Sequence, residues 1–87
     1  MELRHLEQVV AVCRAGGFSG AARSLRVSQP TLSKSIARLE AQLAVKLFDR
    51  SGGAARPTAY GRFIAERAEA LLNGVATLTR DLEQLAH

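Results

Sequence analysis

A mainly α fold is what the 87-residue sequence predicts: three short helices and a small β-hairpin, followed by one long helix. Three observations carry this. Apolar residues recur at helical spacing in two stretches, Leu3 to Cys13 and Leu32 to Leu43. A paired glycine, Gly52-Gly53, separates two short runs of extended character. An apolar 4-3 repeat then runs from Ile64 to Leu85. With 47% hydrophobic and 23% charged residues, the composition is that of an ordinary globular protein, and the length suits one small domain.

The first helix is expected over about residues 2–15, with Leu3, Leu6, Val9, Val10 and Cys13 on its inner face. Gly16-Gly17 ends it, because glycine accepts the left-handed conformation at a helix C-terminus. Phe18 should then be buried as the anchor of the turn. Ser19 is the expected N-cap of a short second helix, about 20–25, whose Gly20, Ala21 and Ala22 allow another helix to approach. Arg26-Val27 is a short connection. Ser28 is the expected N-cap of a third helix, with Gln29 and Pro30 in its first turn, where proline's missing N–H costs little. Val27 and Leu32 are spaced as a hydrophobic staple. Leu32, Ile36, Leu39 and Leu43 form the buried stripe, and Gln29, Thr31, Ser33, Lys34 and Arg38 the polar face, with no acid before Glu40.

Leu47-Phe48-Asp49-Arg50 and Arg56-Pro57-Thr58 are the expected arms of the hairpin, with an uncharged tip Gly52-Gly53-Ala54-Ala55. Pro57 confines its strand to an edge. Thr58 should cap the last helix, about 59–86, roughly 42 Å long at 1.5 Å per residue. Ile64, Ala68, Leu71, Val75, Leu78, Leu82 and Leu85 make a heptad seam along it. Tyr60 and Phe63 fall off the seam and are expected to pack back on the domain. The first three helices already supply a compact core, and a seam this long cannot all reach it. A homodimer through residues 64–85 is therefore expected.

The formal net charge is +4, and it is unevenly spread. Residues 1–58 hold nine Lys/Arg against four acids, a net +5, while residues 59–87 hold three against four, a net −1. A localised basic surface points to a polyanion partner. One cysteine excludes an internal disulfide, and with two distant histidines no metal site and no cofactor are expected. Cys13 lies on the apolar stripe and reads as a core residue, and His5 as a surface one. No stretch approaches the length of a membrane span, and the polar Met1-Glu2-Leu3-Arg4-His5 is unlike a signal peptide. No arrangement of His5, Cys13 and the scattered acids suggests catalysis, so the chain is not expected to be an enzyme.

Residues 18–37 read as helix, tight turn, helix, the arrangement that carries a recognition helix N-terminus first into the DNA major groove. Gln29 offers both a donor and an acceptor to adenine, and Lys34 a donor to guanine. Thr31 and Ser33 complete the base-reading set. Ser28 and Arg38 are candidate phosphate ligands, and Pro30 a candidate van der Waals contact. The hairpin, with Arg50 and Arg56, would form a wing against the adjacent backbone or minor groove.

Met1-Glu2-Leu3-Arg4-His5-Leu6, Gly17-Phe18-Ser19, Ala21-Ala22 and above all Val27-Ser28-Gln29-Pro30-Thr31-Leu32-Ser33-Lys34 resemble the LysR-type transcriptional regulators. So do Arg38-Leu39-Glu40, Leu47-Phe48-Asp49-Arg50, and Thr58 with Gly61. The resemblance implies a winged helix-turn-helix over residues 1–58, with its helix-turn-helix at about 18–37 and its wing at about 47–58. A linker and dimerisation helix over 59–87 follows, paired antiparallel, so that a dimer reads two half-sites of an interrupted palindrome. Family members usually continue into a larger domain that senses a small-molecule effector, so the chain looks like the N-terminal part of a longer regulator. Such a regulator is expected in the cytoplasm, on the nucleoid. Two positions depart from the family pattern: Gly53 stands where a basic residue is common, and Pro57 where an aliphatic one is. Wing contacts should then shift to Arg50 and Arg56. Lys34 also replaces the common arginine, trading a bidentate fork for a point charge. A rival reading is a helical protein-interaction module with an incidental basic face, which salt-sensitive DNA binding would exclude.

Overall fold

A computed structural model describes residues 1–87. Its elements are α1 (Leu3–Ala15), α2 (Phe18–Leu25), α3 (Gln29–Leu43), β1 (Phe48–Asp49), β2 (Arg56–Pro57) and α4 (Ala59–Ala86). The two strands pair antiparallel, with Phe48 opposite Pro57 and Asp49 opposite Arg56.

The main core is the meeting place of α1, α2, α3 and the hairpin. Val9, Val12, Leu32, Leu39 and Leu47 are fully enclosed there, with Phe18, Ile36, Phe48 and Ala55 packed against them. A smaller cluster of Leu6, Val10 and Ala68, flanked by Ile64 and Leu72, fixes α4 across α1. The Arg14–Glu69 ion pair, at 3.2 Å, closes the rim of that contact. Ser35 donates to Gln8 at 2.6 Å and ties α3 to α1. The inner face of α1 differs from the expected one at two places: Val12 is fully buried, while Leu3 is 49% exposed at the first position of the helix.

The helix ends follow mostly from local chemistry. The Glu2 amide donates to His5 Nδ1 at 2.9 Å, so His5 covers an otherwise open N–H at the start of α1. Gly16, at φ +72°, ends α1. Ser28 Oγ accepts the Thr31 amide at 3.2 Å, and Thr58 Oγ1 accepts the Gly61 amide at the same distance. The expected cap at Ser19 is corrected: α2 begins at Phe18, with extended Gly17 as its N-cap. Phe18 is only 4% exposed and meets Phe48 edge-on at 5.8 Å, and delivering that ring to the core sets the start of the helix. Val27, expected to staple onto Leu32, instead remains 39% exposed.

Glu40 builds the connection from α3 to the hairpin. Its carboxylate accepts the Leu47 amide at 2.7 Å and the Phe48 amide at 3.4 Å, with Lys46 Nζ at 3.9 Å. From there the chain is passed on by Thr58, whose amide donates to the Leu47 carbonyl at 2.9 Å and whose hydroxyl donates to the Lys46 carbonyl at 2.6 Å. Gly61 follows on α4, buried so closely against the base of the hairpin that an added Cβ would strike the Leu47 carbonyl group and stand 3.3 Å from Pro57 Cβ. Only glycine allows this approach.

Two expectations for α4 are corrected. Tyr60 and Phe63 do not fold back on the domain; they are 59% and 57% exposed. Ile64 and Ala68, the first positions of the apolar repeat, are instead turned onto α1, and Ala68 has no accessible surface left for a partner chain. The rest of the repeat, from Leu71 to Leu85, is exposed. The physical reason is the helical phase: the side of α4 that meets α1 is rotated by roughly a quarter turn from its outward stripe.

Candidate nucleic-acid interface

The turn between α2 and α3 places the N-terminal end of α3 at the surface. Gln29, Pro30, Thr31, Lys34 and Arg38 are all exposed, and no acid lies among them. The free N–H groups and partial positive charge of the helix N-terminus reinforce the basic side chains. Ser28 is fully engaged locally: beyond accepting the Thr31 amide, its hydroxyl donates to Thr31 Oγ1 at 2.7 Å. Gln29 accepts from the Ser19 hydroxyl at 3.4 Å through Oε1, and its side-chain N–H groups have no partner within the chain. So Ser19, displaced from its expected cap, supports a base-reading candidate on the next helix.

α3 is bordered by two grooves. On one side lie the hairpin and Ser33, Ala37 and Glu40, together with Phe48, Asp49 and Arg50. Ser33 is half-buried in this groove and stands apart from the outermost face. On the other side, the start of α1 brings Arg4 and Gln8 beside Thr31, Lys34, Arg38 and Gln42. Arg4, Lys34 and Arg38 thus border one strip of surface. Sequence reasoning missed Arg4, because only the packing of α1 on α3 reveals its neighbours. Its guanidinium shares an exposed 3.3 Å ion pair with Glu2.

The wing residues are also positioned. The Arg50 guanidinium stacks 3.8 Å above the Phe18 ring. Arg56 lies opposite Asp49 across the strands. Asp49 Oδ1 accepts the Ser51 amide at 2.9 Å, and this hydrogen bond, then that from the Ser51 hydroxyl and the nearby Arg56 charge, hold its carboxyl below the usual range. The hairpin turn needs Gly53 at φ +85°, with its amide donating to the Arg50 carbonyl at 3.2 Å. Ala55, expected at the tip, is buried in the core, which leaves Ser51 to Ala54 as the exposed tip. Cys13 is half-buried, and burial followed by the Glu69 charge pushes its thiol up. A neutral thiol is a poor nucleophile.

A tri-helical core, an exposed basic face on α3 after a tight turn, and a two-stranded hairpin beside it define a winged helix-turn-helix DNA-binding domain. The model of the bacterial regulatory helix-turn-helix proteins of the lysR family matches residues 3–62. The chain belongs to that family. It is 42% identical over 86 residues to the small neutral protease regulatory protein of Streptomyces coelicolor, covering 99% of this chain and 26% of that one. It is 40% identical to the SDS degradation transcriptional activation protein of a Pseudomonas species, covering 97% of this chain and 28% of the other. Among solved structures, the BenM DNA-binding domain in complex with catB site 1 DNA superimposes with a TM-score of 0.93 at 36% identity, over 99% of this chain and 97% of that one. The CbnR DNA-binding domain in complex with DNA gives 0.89 at 34% identity over the whole of both chains. The chain spans about a quarter of the length of the two curated relatives named here. No helix is long and apolar enough to cross a membrane.

Proposed function

We propose that this chain binds double-stranded DNA with sequence preference, as a homodimer held by α4, and thereby serves as the DNA-reading part of a transcriptional regulator. In this reading α3 enters the major groove N-terminus first. Gln29, Thr31, Ser33 and Lys34 read base edges, and Pro30 packs against the DNA surface. Arg38 binds a phosphate beside them, Ser28 contacts one by turning its hydroxyl proton from Thr31 Oγ1 to the phosphate oxygen, and Arg50 and Arg56 bind the backbone along the wing. Two α3 helices in the dimer read the halves of an interrupted palindrome. A small-molecule effector would act through a domain beyond these residues, in a regulator working in the cytoplasm on the nucleoid. The chain contributes binding and not catalysis.

The observation that supports this reading most directly is the acid-free exposed face from Gln29 to Arg38 at the start of α3. The test is selection of bound sites from a random DNA library, followed by mobility-shift titration of selected and random duplexes across salt concentrations. Salt-sensitive binding to both, tighter for the selected site, is expected. Gln29→Ala should erode the preference for the selected site more than the affinity for random DNA. Equal losses on both would remove Gln29 from base reading, and no salt-sensitive binding would overturn the function.

A further inference from the structure

Ser19 stands in the first turn of α2, yet its hydroxyl does not cap that helix, and no other side chain does. The one side-chain partner of the hydroxyl is Gln29 Oε1, across the turn at 3.4 Å. That is long for a bond between two oxygens, but a second influence favours the same orientation of the amide. A hollow between the wing tip and the start of α2 is lined by Ser19, Gln29, Arg50 and Gly53, among others, and by no carboxylate. The open N–H groups at the N-terminus of α2 and the Arg50 guanidinium make this hollow electropositive. A side-chain amide orients in such a field with its oxygen toward the positive charge. The oxygen of Gln29 is thereby engaged within the protein, while Nε2 keeps two N–H donors with no partner in the chain.

We propose that Ser19 is a positioning residue that makes Gln29 a donor-only reader of DNA, which rests on the base-reading role given to Gln29 above. A free glutamine amide recognises adenine with both ends, its oxygen accepting from N6 and its nitrogen donating to N7. With the oxygen held by Ser19, the adenine amino group meets donors instead of an acceptor. Guanine alone offers two neighbouring acceptors, O6 and N7, to the two N–H groups. Ser19 therefore biases one base pair of each half-site toward G·C and away from A·T, while touching no base itself. It acts on specificity from α2, through a side chain that belongs to α3.

Selection of bound sites from a random DNA library, with the wild-type chain and with Gln29→Ala, Ser19→Ala and Ser19→Thr, tests this. Mobility shifts on duplexes carrying each base pair at the affected position then give the affinity ratios. Gln29→Ala is expected to erase the preference at one position of the half-site, and the wild-type chain should select G·C there. Ser19→Ala releases the amide oxygen and should shift the ratio of A·T to G·C affinity at that position by about fivefold or more, the low end of what a bidentate base contact discriminates. Ser19→Thr keeps the hydroxyl and should keep the wild-type preference. Ser19 is exposed and closes no helix end, so these variants should retain the fold, which circular dichroism checks. If Gln29→Ala changes no preference, Gln29 leaves the base-reading set and the role of Ser19 falls with it. If Gln29→Ala erases a preference for A·T, or if Ser19→Ala leaves the selected base pair unchanged or weakens all duplexes equally, the positioning role of Ser19 is overturned while base reading by Gln29 stands.

Discussion

The Arg50 guanidinium lies 3.8 Å above the ring of Phe18, and Phe18 in turn meets Phe48 edge-on at 5.8 Å. One charged side chain on the wing is thereby registered against the first residue of α2. Arg50 is exposed, so its charge stays available while its position is constrained. Holding a long side chain in place before binding reduces the entropy lost on contact. Arg50→Ala is expected to weaken DNA binding and to lower the slope of log affinity against log salt by about one, the signature of one lost phosphate contact. Stability should fall by only about 0.5–1 kcal/mol, the usual size of an exposed cation–π contact. Salt-titrated mobility shifts and a urea melt measure the two effects. An unchanged salt slope would remove Arg50 from the interface.

The connection between α3 and the wing depends on Glu40, whose carboxylate accepts two backbone amides. Glu40→Ala should destabilise the chain by about 1.5–3 kcal/mol, the range for hydrogen bonds to a charged acceptor. Glu40→Gln keeps an acceptor oxygen in place and should cost clearly less. Chemical denaturation of both variants checks the order; equal losses would show that hydrogen bonding at Glu40 is not what holds the connection.

At the wing tip the two glycines are not equivalent. Gly53 sits at φ +85°, whereas an added side chain at Gly52 meets nothing within 4 Å and its backbone carries no such constraint. Gly52→Arg should tighten DNA binding and steepen the salt slope by about one. Gly53→Arg brings a similar charge but also a backbone strain of roughly 1–2 kcal/mol. It should lower the melting temperature where Gly52→Arg does not. Thermal melts beside the mobility shifts separate charge from strain.

The wing should also respond to acid through Asp49. Hydrogen bonds from Ser51 lower its pKa in the folded state below the ordinary value of 3.8. The folded state therefore favours the carboxylate. Its contribution is fully present above the ordinary value and is lost as the pH falls through the lowered one. Following the Ser51 amide resonance against pH should show a midpoint below 3.8, and Asp49→Asn should abolish that titration. A midpoint at or above the ordinary value would contradict the hydrogen bond as the cause.

Much of the architecture was legible because short-range chemistry decides it. Ser28 and Thr58 cap the helices they were expected to cap, and Gly16 ends the first. What was not legible depends on contacts between distant residues. Ser19 is as good a local cap as Ser28, but the burial of Phe18 moves the helix start to Gly17. Glu40 reads as an ordinary helix acid until Leu47 and Phe48 turn their amides toward it. The apolar repeat from Ile64 to Leu85 looks continuous in sequence. Only the docking of α1 shows that Ile64 and Ala68 serve one neighbour, while Tyr60, Phe63 and the later leucines face elsewhere. At the interface the exposed residues of α3 were legible, whereas Arg4 emerges only from the packing of α1 beside α3.

The seat of Gly61 on Leu47, braced by Thr58, leaves no slack between the hairpin and the long helix. That junction makes α4 a lever arm. A helix of 28 residues is about 42 Å long, so a tilt of about 10° displaces its far end by roughly 7 Å. In the proposed homodimer the same leverage runs in reverse: a small change in the angle between two such arms would move the headpieces they carry by a good part of a DNA groove width. Geometry set at one end of the molecule is thus transmitted to the other without any loop to absorb it.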